Sequence, residues 1–107
     1  NIAGKWEGGI KLPNGAELII NLNLRGEAPE YTGTLDIPQQ NATGLRLSTA
    51  TQMKDSITFA FTAGQTNGTF TGRVASPNII EGTYTQGGPS LPFYVKRSGE
   101  LQELASA

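Results

Sequence analysis

Apolar and polar residues alternate along this chain in eight short runs, and strict alternation over four to eight positions is the mark of a half-buried strand. The clearest run is about Glu17 to Arg25, with Leu18, Ile20, Leu22 and Leu24 on one face and Asn21, Asn23 and Arg25 on the other. A first strand at about Lys5 to Leu12 aligns Trp6, Gly8, Ile10 and Leu12. A third at about Tyr31 to Ile37 aligns Tyr31, Gly33, Leu35 and Ile37, and Pro38 ends it because proline cannot donate to a ladder. The fourth, about Gly44 to Met53, has Leu45 and Leu47 on its inner face, but its second half is too weakly apolar to define a register.

The second half of the chain repeats the pattern. A strand at about Ser56 to Ala63 turns Ile57, Phe59 and Phe61 inward, and one at about Gly68 to Ala75 turns Phe70, Gly72 and Val74 inward. The last two strands, about Ile79 to Gln86 and Leu91 to Arg97, send in Ile80, Gly82 and Tyr84, then Leu91, Phe93 and Val95. Ser98 to Ala107 breaks the alternation and reads as a tail or the start of a linker after a single domain over residues 1–97.

Turn-forming residues separate the runs by only a few positions, which suits hairpins and excludes the long crossovers of parallel sheets. The expected architecture is all-β: an eight-stranded antiparallel up-and-down barrel, lipocalin- or streptavidin-like. Closure removes both edges of the sheet, and eight strands leave room only for side chains or one small ligand. One phrase recurs: a large ring followed two residues later by glycine, at Trp6/Gly8, Tyr31/Gly33 and Phe70/Gly72, and reversed at Gly82/Tyr84. These glycines are expected to let strands coil sharply and to clear space for rings across the barrel. With about twenty large apolar residues facing inward, a packed interior is expected rather than a wet pocket.

Composition narrows the chemistry. The 107 residues include no histidine and no cysteine, so a Ser-His-Asp or Cys-His catalytic device and a His/Cys metal site cannot be built. A carboxylate pair drawn from Glu7, Asp36 and Glu81 would lie on the outer face, away from any cleft. No cofactor motif is present. Eight basic and nine acidic residues are scattered singly, giving a net charge of −1 and no stripe for nucleic acid. No apolar run approaches a membrane span. The chain begins at Asn1 without a signal peptide, and the expectation is a processed, exported protein or a piece of a longer one.

A meander sorts its turns between two ends. The turns after strands one, three, five and seven gather Asn14, Gln39, Gln40, Asn41, Gln65, Asn67 and Gln86 with no charged residue; the other end is charged. Amides and glycines are ordinary turn residues. They are also able to donate and accept together, so this rim is a candidate surface for a neutral polar partner, a glycan or a peptide backbone.

Several phrases together resemble a known family. They are Gly4-x-Trp6-x-Gly8, the Leu18–Leu24 alternation, Thr32-Gly-Thr-Leu-Asp36-x-Pro38-x-Gln40, Ile80-x-Gly82-Thr-Tyr84-x-Gln86-Gly-Gly, and Leu91-Pro-Phe93. Across roughly residues 2–97 the chain is similar to the small β domain that precedes the catalytic domain in secreted or periplasmic bacterial α/β-hydrolases. The resemblance implies a non-catalytic accessory domain with a hydrolase domain as its partner in cis. Without that resemblance, a stand-alone carrier of an apolar ligand fits the same barrel.

Overall fold

The computed structural model of the protein describes residues 2–98. Eight strands follow one another: β1 (Gly4–Lys11), β2 (Glu17–Glu27), β3 (Glu30–Ile37), β4 (Ala42–Met53), β5 (Ser56–Ala63), β6 (Thr66–Ser76), β7 (Ile79–Thr85) and β8 (Ser90–Ser98). A single 3-10 turn, Pro38–Gln40, joins β3 to β4. Each strand pairs antiparallel with the next, and β1 pairs with β8 from Lys5↔Ser98 to Ile10↔Phe93, which closes the barrel. The tail from residue 99 onward lies outside the described residues.

Several strands run further than their alternation indicates. β2 reaches Glu27 and β3 starts at Glu30, so only Ala28 and Pro29 separate them. β6 starts at Thr66, which puts Asn67 inside a strand rather than in the turn.

β4 carries a bulge: its pairing with β5 passes from Leu47↔Phe61 to Thr49↔Ala60, so β4 contributes one extra residue. A one-residue insertion exchanges the faces of everything after it. Ala50 is therefore buried, whereas Met53, which unbroken alternation from Leu47 would turn inward, is 75% exposed.

The inner face is filled. Trp6, Ile20, Leu22, Tyr31 and Leu35 are buried from the first half of the chain, and Phe59, Phe61, Phe70, Tyr84 and Phe93 from the second. Leu18 is partly buried against them near the amide-rich end. Phe70 sits at the centre of an aromatic group, 4.6 Å from Tyr84 and 4.9 Å edge-on to Phe93. Each such side chain contributes roughly 1.5–3 kcal/mol by leaving water.

The glycines of the recurring phrase do something other than clear space for rings. A β-carbon on Gly8 would overlap the main-chain carbonyl of Tyr94, and one on Gly82 would overlap the carbonyl of Thr71 and the α-carbon of Gly72. Their role is close approach of neighbouring backbones, as sharp coiling requires. Clearance for rings falls to Gly68 instead, where a β-carbon would strike Phe61 and the hydroxyl of Tyr84.

Candidate functional site

The interior offers little space. The void between Ile20, Leu22, Leu35, Phe59, Phe70 and Phe93 is about 10 Å³, at the lower limit for a single water and without polar partners for one. Any ligand site of useful size lies at the ends or on the outer wall.

The charged end is sealed by the segment before β1. Ile2 is buried, and its carbonyl accepts a hydrogen bond from the indole Nε1 of Trp6 at 2.9 Å. Arg97, paired with Trp6 across β1 and β8, lays its guanidinium 4.5 Å from the ring centre and donates to the carbonyl of Ala3 at 2.8 Å. The Tyr31 hydroxyl donates to Gln52 Oε1 at 2.9 Å, and Gln52 Nε2 donates to the Lys54 carbonyl. Gln52 reaches this position because the bulge in β4 turned it inward.

At the opposite end the meander gathers the turns that hold Asn14, Gln39, Gln40, Asn41, Gln65 and Gln86, with Asn67 at the start of β6. Most of these amides are engaged within the protein. Gln39 acts as a short stretch of strand. Its Oε1 accepts from the Ile19 N–H at 2.5 Å and its Nε2 donates to the Glu17 carbonyl at 3.4 Å, beyond the point where pairing of β2 with β3 stops at Asn21↔Asp36. Asn14 Oδ1 accepts from the Ala16 N–H, Asn67 Oδ1 from Thr62, and Gln86 Oε1 from the Tyr84 hydroxyl at 2.6 Å. Asn41 holds a left-handed backbone conformation (φ 57°) that ends the 3-10 turn. Gln40 and Gln65 are exposed, with no side-chain hydrogen bond among the described residues.

The outer wall is indented wherever the ring-x-glycine phrases fall. Gly33 lies in one groove, Gly72 and Gly82 in a second, and Gly8 in a third. With no side chain on the inner face, the backbone moves toward the barrel axis and leaves a hollow outside. The packing device of the interior thus shapes the exterior.

Two of these grooves differ in charge. The groove over β6 to β8, about 890 Å³, mixes signs: Lys11, Arg73 and Lys96 with Glu17 and Glu81. Glu81 lies opposite Arg73, and the Tyr94 hydroxyl donates to Glu17 Oε1 at 3.1 Å. That hydrogen bond, then desolvation and the carboxylate charge, raises the Tyr94 pKa above the ordinary tyrosine value, while burial alone raises that of Tyr84. The groove over β1 to β4, about 800 Å³, is lined by Lys5, Arg25 and Arg46 with Asn23, Thr32 and Thr34, and no carboxylate lines it. Register builds it: Lys5↔Asn23, Asn23↔Thr34 and Thr34↔Arg46 form one row across four strands, and Arg25↔Thr32 the next row. None of these six side chains is hydrogen-bonded or ion-paired among the described residues. Scattered single charges in the sequence conceal this group. The signal that could have found it is the pairing of outward positions across successive hairpins.

The candidate carboxylates remain on the outer wall. Glu7 and Asp36 flank Asn21 in one cross-strand row, and Asp36 Oδ1 accepts from the Gly44 N–H at 2.6 Å. Among the described residues no three acidic side chains gather as metal ligands would. No protein-family model matches the chain, and no curated protein matches it.

Proposed function

We propose that this barrel is a non-catalytic recognition domain that works through its outer surface. The observation that carries the reading is the contrast between an interior void of about 10 Å³ and outer grooves near 800 Å³. A ligand-carrying barrel needs several hundred Å³ inside it, so the filled interior weighs against a carrier of apolar cargo. The absence of histidine and cysteine from the sequence removes the commonest general base and the thiolate nucleophile.

The Asp36-x-Pro38-x-Gln40 and Gly82-Thr-Tyr84-x-Gln86-Gly-Gly phrases support an accessory role beside an α/β-hydrolase domain of an exported protein. A domain joined after Ser98 would emerge at the end sealed by Trp6, beside Lys5, and leave the amide rim at the opposite end free. Among the described residues the side chains of Gln40, Asn41 and Gln65 are unengaged and available to a neutral polar partner.

The 107-residue chain mixed with a fluorescent fatty acid should take up none, and with p-nitrophenyl esters it should release no product. Stoichiometric uptake, or ester turnover above background, would overturn the reading. A Gly-x-Ser-x-Gly strand-turn-helix pattern encoded downstream would support the hydrolase partnership, and its absence would sever it.

A further inference from the structure

We propose that the groove over β1 to β4 binds an acidic oligosaccharide, with Lys5, Arg25 and Arg46 meeting its anionic groups and Asn23, Thr32 and Thr34 its hydroxyls. This rests on the reading of the barrel as a recognition domain and names its site and ligand class. In a chain of net charge −1, three cations line one hollow that no carboxylate enters. Nearby acids stay outside it: Glu7 and Asp36 occupy the adjoining row on one side, and Glu27↔Glu30 lies beyond Arg25 on the other. At the amide-rich end Asn14, Gln39, Asn67 and Gln86 bond within the protein, but among the described residues this groove spends none of its six.

The dimensions favour an extended ligand. The Lys5–Asn23–Thr34–Arg46 row crosses three interstrand spacings, about 14 Å, and Arg25 lies about 7 Å from Asn23 along β2. Cations at the two ends of a row with an amide and hydroxyls between them match a polymer that alternates anionic and hydroxyl groups. Asparagine and threonine both donate and accept, as sugar hydroxyls do.

Other anionic polymers fit less well. No aromatic side chain lines the groove, so the bases of a nucleic acid would find no stacking platform. The barrel is closed, so an acidic peptide could not add as a strand and would forgo main-chain pairing.

The test titrates the intact chain at low ionic strength with two probes, hexagalacturonate and a heparin hexasaccharide. Maltohexaose serves as the neutral control and hexaglutamate as a peptide of matching charge. Expected is saturable binding of at least one acidic sugar, weakened by salt, with none to maltohexaose and weaker binding to hexaglutamate. The K5Q/R46Q double variant should bind about tenfold or more weakly, with its melting curve unchanged. The K11Q/K96Q pair, in the mixed-charge groove, should bind as the unaltered chain does. The proposal is overturned if neither acidic sugar binds, if K11Q/K96Q loses as much affinity as K5Q/R46Q, or if hexaglutamate binds as tightly as hexagalacturonate. None of these outcomes bears on fatty-acid uptake or ester turnover, so the groove can fail while the recognition-domain reading stands.

Discussion

The amide-rich rim and the groove over β1 to β4 are both polar, but they use polarity differently. At the rim, Gln39 completes the edge of β2, Gln86 receives the Tyr84 hydroxyl, and Asn14 and Asn67 tie their own turns. In the groove, the side chains of Lys5, Asn23, Arg25, Thr32, Thr34 and Arg46 hold nothing among the described residues. A polar side chain that satisfies its own backbone contributes to stability; one held in a recessed hollow without a partner is available to a ligand. Turn composition alone favours the rim as a binding surface, whereas hydrogen-bond accounting favours the groove.

Substitutions should separate the two kinds of residue. The largest loss is expected away from both, at the sealed end: Trp6→Ala should cost about 3–5 kcal/mol in a denaturant melt, because its fully buried ring leaves a cavity. A near-neutral result would show that the end is open. Gly82→Ala comes next, at about 1–3 kcal/mol or more, since its β-carbon would meet the backbones of Thr71 and Gly72. If it were tolerated freely, close strand approach would not explain the glycine phrase.

Gln39→Ala should cost about 1 kcal/mol by exposing the Ile19 N–H and the Glu17 carbonyl; Gln40→Ala should cost nothing measurable. Arg46→Gln and Asn23→Ala should each stay within about 0.5 kcal/mol of the parent, and larger losses would mean that the groove also serves the fold.

The smallest effect is one of pH. The raised Tyr94 pKa means that the folded state keeps this proton better than the unfolded chain does. Its contribution to stability is therefore fully present below the ordinary tyrosine pKa near 10 and is lost as pH rises through the higher folded value. Absorbance at 295 nm should show Tyr94 ionising at lower pH in Glu17→Gln than in the parent. An unchanged titration would remove the Glu17 contact from the account.

The barrel itself is written plainly in the sequence, because each strand has one dry face and every hairpin is short. The bulge in β4 is not, since Ser48-Thr49-Ala50-Thr51 offers no apolar contrast to mark a change of face. The glycine phrase is legible as a packing device, but whether its partner is a ring or a carbonyl depends on strand coiling, which only coordinates reveal. The groove is hidden for a different reason. Lys5 and Arg46 are forty-one positions apart, and three successive registers bring them into one row.

The most direct test of a filled barrel that binds on its outer wall is an amide chemical-shift titration of the intact chain with hexagalacturonate. The account predicts that the shifts concentrate at Lys5, Asn23, Arg25, Thr34 and Arg46, with Phe59, Phe70 and Phe93 unmoved. Shifts centred on those interior rings, or on the turns at Gln40 and Gln65, would contradict it.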